Sequence, residues 1–166
     1  MVLLRYMKET FLVEEGELED LAQDVVATLS KHNNQSAKLL LLEGDMGAGK
    51  TTFTKTLGKI LGISYDDIHS PTFILKKEYL ANHDYFKKLV HIDAYRFEDP
   101  SEAEILKLEN DLQNKDALIV IEWPSKMGYS DGDMILSFAY EGDTTRNITI
   151  DYAPHDFKKS KNSSAS

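Results

Sequence analysis

The strongest signal in the sequence is residues 44–51, which read Gly44-Asp45-Met46-Gly47-Ala48-Gly49-Lys50-Thr51. This stretch matches the pattern G-x-x-x-x-G-K-[ST], whose glycines let consecutive backbone N–H groups form a concave nest for phosphate. In such loops the lysine reaches the β- and γ-phosphates, and the threonine hydroxyl can ligate Mg²⁺. The context agrees, because the apolar run Leu39–Leu42 precedes the loop and helically spaced apolar residues follow it up to Leu61. The stretch therefore predicts a nucleotide-binding loop between a buried strand and a helix.

The rest of the chain alternates between strand and helix periodicity. Apolar spacing predicts helices over residues 18–29 and 50–61, and strands over 8–13, 39–42, 72–80, 86–93 and 117–121. Two further alternating stretches, 134–140 and 148–152, form a hairpin that turns at Gly142-Asp143. Two of the strands are continuously apolar, which indicates burial on both faces by helices. We therefore predict an α/β domain, a three-layer fold like that of P-loop NTPases, with a mixed sheet and a C-terminal antiparallel hairpin.

A third helix is expected where the sequence is most acidic. Ser101-Glu102-Ala103-Glu104 has the capping-box pattern, and Ile105, Leu108 and Leu112 continue it at helical spacing. The segment from Glu98 to Asp111 carries six acids against one lysine. We interpret it as the solvated face of this helix, with its first acids favoured by the helix dipole. The alternative is a docking surface for a basic partner.

Length and charge limit the class of protein. The 166 residues fit one domain, which we assign to residues 1–154, and residues 155–166 are expected to form a disordered polar tail. The net charge of −9 argues against a protein that coats nucleic acid. With no cysteine there are no disulfides or thiolate metal sites, and no apolar run is long enough to span a membrane. We expect a cytoplasmic protein.

Two apolar strands end in acids that are candidates for the chemistry. Asp93 follows the run 89–92, and Glu122 follows the run 118–121. Ligands of open α/β sheets bind at the carboxyl ends of the strands, so both acids are expected to face the phosphate loop. We assign Asp93 to Mg²⁺ and Glu122 to orienting or deprotonating the attacking water. The alternative for either acid is a structural role, as a helix cap or as a partner of lysine.

Other features bear on the nucleotide and on the reaction. No Asn-Lys-x-Asp signature follows a strand, which favours ATP over GTP by elimination. The chain has three arginines, too few for the arginine-rich lid with which small-molecule kinases clamp two phosphorylated ligands. This lowers the kinase alternative without removing it. Ser70 and Thr72, within Ser70-Pro71-Thr72-Phe73, are candidate sensors of the γ-phosphate, with an ordinary turn as the alternative.

Four motifs taken together resemble those of one family. They are residues 44–52 (GDMGAGKTT), 70–73 (SPTF), 91–96 (HIDAYR) and 121–124 (IEWP). In order and approximate spacing, they make residues 8–152 similar to TsaE, also called YjeE, the bacterial ATPase of tRNA threonylcarbamoyladenosine biosynthesis. The sequence departs from the family at Met46, where leucine is common, and near Lys107, where a glycine is expected.

The resemblance implies an activity and partners. It implies that the chain binds ATP and Mg²⁺ and hydrolyses ATP in support of a TsaB–TsaD pair. That pair modifies tRNA, so tRNA would be met only indirectly, through the complex. The ATPase is expected to be weak without its partners. Two alternatives stay open, a small-molecule kinase that uses the same loop and a non-hydrolysing module in which ATP switches a binding surface.

The resemblance also implies roles for single residues. Lys50 would contact the β- and γ-phosphates, Thr51 and Asp93 would hold Mg²⁺, and Glu122 would assist hydrolysis. Trp123 would lie beside the site, with an ordinary core or partner-facing aromatic as the alternative. An arginine finger would strengthen hydrolysis, and the sequence leaves open whether Arg96 or a residue of a partner acts as one. The loop residues that would bind the nucleotide are Asp45, Met46, Gly47, Ala48, Gly49, Lys50, Thr51 and Thr52.

Overall fold

The computed structural model describes residues 7–31, 35–69 and 75–152. Its seven strands are β1 (Met7–Glu14), β2 (Lys38–Gly44), β3 (Lys76–Leu80), β4 (Lys88–Asp93), β5 (Ala117–Glu122), β6 (Met134–Tyr140) and β7 (Thr145–Tyr152). Its α-helices are α1 (Leu18–Leu29), α2 (Lys50–Ile60) and α3 (Glu109–Gln113). Short 3₁₀ segments cover Glu15–Glu17, Tyr65–Asp67, Pro100–Leu106 and Pro124–Met127. The predicted 154/155 domain boundary lies outside the described residues, as do Ser70, Thr72 and the tail.

The strands form one mixed sheet in the order β1-β7-β6-β2-β5-β4-β3. Strand β2 runs parallel to β5 and β6, and β4 runs parallel to β5. The remaining pairs are antiparallel, including the β6–β7 hairpin. The predicted α/β fold with a mixed sheet and a C-terminal hairpin is therefore confirmed. Because β2, β4 and β5 are parallel, the phosphate loop, Asp93 and Glu122 meet at one edge of the sheet.

Strand β2 separates the two halves of the core. Its leucines are all buried, but alternate ones face opposite sides of the sheet because side chains alternate along a strand. Leu40 and Leu42 pack in the cluster that includes Phe53 of α2 and residues of α1. Leu39 and Leu41 pack in the second cluster, beneath the 3₁₀ segments and α3. The four consecutive leucines of β2 are thus explained by burial on both faces of the strand, as predicted.

The predicted third helix is wrong in two respects, since it is not continuous and its capping box is not formed by Ser101 and Glu104. The capping box uses Asp99 and Glu102, Pro100 follows the cap, and a 3₁₀ segment continues to Leu106. Lys107 then takes a left-handed backbone conformation (φ 49°), and the chain restarts as the short α3. The reason lies in Leu106 and Leu108, which are both buried in the same cluster. Residues two apart face away from each other on a continuous helix, so the reversal at Lys107 lets both pack.

The acidic segment is only partly the solvated surface that we expected. Asp99 and Glu102 are exposed and act as caps. Asp111, however, is 5% exposed and accepts hydrogen bonds from Lys76 and Lys88. One of the six acids therefore joins α3 to the β3–β4 edge of the sheet. None of the helices within the described residues combines the length and the apolar composition that a membrane span requires.

Candidate functional site

The phosphate loop owes its shape to three glycines with positive φ. Gly44, Gly47 and Gly49 have φ values of 141°, 77° and 108°. A Cβ on Gly44 would lie 2.5 Å from the Phe138 carbonyl oxygen of β6, so this position excludes any side chain. Gly49 is the N-cap of α2, and its carbonyl accepts the N–H of Phe53 at 2.9 Å. The N-terminus of α2 therefore begins directly at the loop, where a helix favours an anion.

Lys50 lies over the loop and is largely shielded from solvent. Its Nζ donates to the carbonyl oxygens of Gly44, at 2.5 Å, and Asp45, at 2.8 Å. The same amine lies 4.4 Å from the centre of the Trp123 ring, within the range of a cation–π contact. Burial lowers the pKa of the Lys50 amine, and the nearby carboxylate of Glu122 offsets part of this effect. The site thus holds a desolvated cation against carbonyl dipoles and an aromatic face.

Glu122 ends β5 and is 2% exposed. Its Oε2 accepts a hydrogen bond from the Thr51 hydroxyl at 3.0 Å, and its Oε1 accepts from Thr54 at 3.4 Å. The Nε2 atom of fully buried His91 lies 3.1 Å from Oε1. Residues of the loop, of α2 and of β4 thus fix one carboxylate. His91 supports the carboxylate of Glu122 from the neighbouring strand β4.

Asp93 ends β4 and pairs in register with Glu122. Its Oδ1 accepts the backbone N–H of Tyr95 at 3.0 Å, and the side chain is partly exposed. Both acids line a single cavity of about 370 Å³ in front of the loop. The other lining residues are Met46, Gly47, Gly49, Lys50, Thr51, Thr52, Tyr95, Arg96 and Trp123.

Most of the residues that the sequence singled out come together in this cavity. Ala48 is fully buried, and Asp45 takes part through its backbone carbonyl. Ser70 and Thr72 are outside the described residues. Sequence reasoning missed Tyr95, whose ring centre lies 5.2 Å from that of Trp123. Tyr95 lies within the motif His91–Arg96, and this position was the signal in the sequence that could have identified it as a site residue.

Comparison with known proteins identifies the family. The family model "Threonylcarbamoyl adenosine biosynthesis protein TsaE" matches residues 12–148. The chain belongs to the TsaE family. It is 34% identical over 148 residues to the tRNA threonylcarbamoyladenosine biosynthesis protein TsaE of Aquifex aeolicus, covering 89% of this chain and 98% of the relative. It is 36% identical over 126 residues to TsaE of Haemophilus influenzae, covering 74% and 75%.

The fold agrees with that of a solved structure. The crystal structure of YdiB from Bacillus subtilis superimposes with a TM-score of 0.63 at 25% identity, covering 96% of this chain and 93% of that one. The family model and the two relatives confirm the resemblance to TsaE that the four motifs predicted. One of those motifs, residues 121–124, contains a residue with an uncommon backbone conformation in this TsaE-family chain.

Trp123 has a left-handed conformation with φ 57°. This is an uncommon region for a bulky residue. Its N–H donates to the carbonyl of Leu42 at 3.2 Å, and Pro124 follows at the start of a 3₁₀ segment. The turn places the ring beside Lys50 and Tyr95 instead of continuing β5. In this TsaE-family site the bulky ring thus forms part of the wall of the cavity.

The donor set at the loop suits Mg²⁺ bound together with a phosphate ligand. No group of three or more His, Cys, Asp or Glu side chains able to hold a metal occurs in the part of the chain that the structure describes. Mg²⁺ is commonly bound through one or two carboxylates, with phosphate oxygens and waters completing its shell. The Thr51 hydroxyl and the Asp93 and Glu122 carboxylates line one cavity and fit that pattern.

Proposed function

We propose that this TsaE-family chain binds ATP with Mg²⁺ and hydrolyses it, in support of a TsaB–TsaD-like pair that modifies tRNA. One observation carries the proposal. The hydroxyl of Thr51, which follows the loop lysine, donates to the buried carboxylate of Glu122 at the end of the neighbouring strand. A phosphate-binding loop and an acid are thereby joined in one cavity with a second acid, Asp93. Phosphoryl-transfer sites need this combination of parts.

The loop would bind the phosphates. Its glycine conformations and the start of α2 favour an anion, and the Lys50 amine supplies a positive charge at the same place. Thr51 and Asp93 would hold Mg²⁺, which neutralises charge on the phosphates when bound. Since Lys50 is shielded from solvent, its interaction with phosphate would be stronger than in bulk water.

Glu122 would orient the attacking water or accept its proton. The carboxylate lines the cavity and is fixed by Thr51 and by His91, so little reorganisation is needed when the reaction begins. Because the hydrogen bond to Thr51 brings Glu122 next to the proposed metal ligand, this acid also supports the Mg²⁺ site. Asp93, which is more exposed, would face the metal more directly.

The substitution Glu122→Gln tests this assignment. It keeps the size of the side chain and removes the basic oxygen, so nucleotide affinity should change little while hydrolysis falls by about 10²–10⁴-fold. The measurement is steady-state phosphate release in the assembled system with TsaB- and TsaD-like proteins and tRNA, alongside calorimetric ATP binding. Glu141→Gln, an exposed acid at the end of β6, is the matched control. Unchanged turnover in Glu122→Gln would refute the role of Glu122.

The same preparation separates the ATPase from the two alternatives. A kinase would transfer the label of γ-labelled ATP to a metabolite, whereas an ATPase releases it as phosphate. Among the described residues, Arg96 is the single arginine that lines the cavity, which does not favour a kinase clamp. A non-hydrolysing module would sustain repeated turnover of the complex with a non-hydrolysable analogue. We expect that analogue to stop the complex after one turnover.

A further inference from the structure

Two side chains of the β6–β7 hairpin donate hydrogen bonds to backbone carbonyls of the phosphate loop. The Tyr140 hydroxyl donates to the carbonyl oxygen of Met46 at 3.3 Å, and Nε of Arg146 donates to the carbonyl oxygen of Ala48 at 3.1 Å. Both residues lie at the turn end of the β6–β7 hairpin, and neither lines the cavity in front of the loop. Arg146 instead lines a neighbouring cavity that shares Gly49 and Thr52 with the first, so the two contacts act on the backbone of the loop and not through the lining of the cavity in front of it.

The contacts matter because a peptide group is rigid. In a trans peptide the carbonyl of one residue and the N–H of the next point in opposite directions, and the described peptide bonds are all trans. The Met46 carbonyl is bound by Tyr140, which does not line the cavity, and the N–H of Gly47, which does line it, points the opposite way across the same peptide group. The Ala48 carbonyl, bound by Arg146, and the N–H of Gly49 are related in the same way. Two of the loop donors are thus oriented through the carbonyls that Tyr140 and Arg146 bind.

The supporting side chains are themselves fixed. Nη1 of Arg146 donates to the carbonyls of Gly142, at 3.2 Å, and Thr145, at 3.0 Å, which anchors the guanidinium to the hairpin turn. Its Cζ lies 4.6 Å from the centre of the Tyr140 ring, a cation–π contact. A Cβ on Gly47 would lie 2.7 Å from the Tyr140 hydroxyl, so the loop and the tyrosine fit closely.

We propose that Tyr140 and Arg146 are positioning residues of the nucleotide site. They fix two loop carbonyls so that the following N–H groups face the phosphates. This inference rests on the proposed function, because it assumes a phosphate ligand in the cavity. Through these two residues the β6–β7 hairpin contributes to phosphate affinity, although it contains no residue of the sequence motif.

The inference differs from a purely structural role in what it predicts. If the two residues only stabilised the hairpin, their loss would lower the melting temperature and leave the affinity of the folded protein unchanged. If they orient the loop, affinity falls in a protein of nearly unchanged stability. Because the N–H groups contact phosphate in both ground and transition states, KM for ATP should rise while kcat stays constant.

The test uses two conservative variants of the full chain. Tyr140→Phe removes one hydroxyl and no charge, and Arg146→Lys keeps the charge but removes the planar guanidinium. Tyr65→Phe, at a tyrosine that contacts Lys55 away from the loop, is the matched control. Calorimetry with Mg²⁺ and inorganic pyrophosphate measures the loop alone, and ATP is titrated in parallel. We expect pyrophosphate affinity to fall about three- to tenfold in each loop-supporting variant, as for loss of one hydrogen bond, and to stay unchanged in the control.

The outcomes separate the inference from the proposed function. Wild-type protein that binds neither ATP nor pyrophosphate would refute the proposed function, and the inference with it. If the wild type binds pyrophosphate and both variants bind it with the wild-type affinity, the inference alone is overturned. If Arg146→Lys melts well below the wild type, Tyr140→Phe decides, because it leaves the guanidinium and its turn contacts in place.

Discussion

The clearest test of how the sheet edge is held is the substitution Asp111→Asn. Asp111 of α3 accepts hydrogen bonds from Lys76 of β3, at 2.6 Å, and from Lys88 of β4, at 2.8 Å. Glu78 lies 3.3 Å from the first amine and 3.2 Å from the second. Asparagine keeps the volume of the side chain but removes its charge. Glu78 would then be the carboxylate left to both lysines, and Lys76 would keep its hydrogen bond to the Leu106 carbonyl at 3.1 Å.

The magnitude follows from burial. Removing one partner of a fully buried ion pair costs about 3–5 kcal/mol. Here the lysine side chains are 20% and 24% exposed, and Glu78, at 45%, is more open to solvent, so part of the charge is compensated. We therefore expect a loss of about 2–3 kcal/mol in the free energy of unfolding. For a domain of this size, this corresponds to a fall of roughly 4–12 °C in melting temperature.

The effect depends on pH in a predictable direction. Burial raises the pKa of Asp111, but the hydrogen bonds from Lys76 and Lys88 outweigh burial and hold the pKa below its usual value of 3.8. A group whose pKa is lower in the folded state stabilises the protein above its unfolded pKa, and this stability is lost as pH falls through the folded pKa. The difference between wild type and Asp111→Asn should therefore be constant at neutral pH and shrink below about pH 4.

The assay is urea unfolding at neutral pH, repeated down to the acid limit of the folded protein. Glu109→Gln, an exposed acid on the same short helix, controls for the loss of one negative charge and should change stability by less than about 0.5 kcal/mol. Equal losses in the two variants would mean that net charge, not the Asp111 contacts, is responsible. A loss in Asp111→Asn that did not shrink in acid would refute the assigned pKa direction.

Two further predictions concern backbone and packing. Lys107→Gly should raise the free energy of unfolding by about 0.5 kcal/mol in urea titrations. Glycine relieves the strain of the left-handed conformation, and this gain exceeds the entropy that glycine adds to the unfolded state. Lys107→Ala keeps the Cβ and should show no gain. Gly58→Ala should lower the free energy of unfolding by about 1 kcal/mol although alanine is the better helix former, because the new Cβ would lie 1.9 Å from Cδ1 of buried Ile68. Adding Ile68→Val removes that Cδ1 and should recover stability. A double variant that is no more stable than Gly58→Ala would refute the clash.

Local features of the structure could be predicted from the sequence. The phosphate loop follows from the spacing of its glycines, and the burial of Leu39–Leu42 follows from an apolar run that is too short for a membrane span. The reversal at Lys107 was not predicted, because it depends on two leucines that share a core with strands distant in sequence. The only local signal was the missing glycine near this position, and the structure shows why a glycine suits it.

The contact between Thr51 and Glu122 illustrates the limit of prediction in another way. Sequence reasoning identified both residues but could not show that they touch, since this depends on β5 lying next to β2. Their 71-residue separation makes the contact a property of the assembled sheet. The same holds for His91, which supports Glu122 only because β4 is the next strand along.

The central position of β2 connects these observations. The loop after β2 is held on one flank by Glu122 of β5, through Thr51, and on the other by Tyr140 and Arg146 of the β6–β7 hairpin. Glu122, Tyr140 and Arg146 all lie outside the eight-residue motif, on strands that come beside the loop only when the sheet is complete. The motif supplies glycines and a lysine, whereas the neighbouring strands supply the orientation of the donors. Nucleotide affinity should therefore respond to substitutions in the hairpin that leave every residue of the motif unchanged.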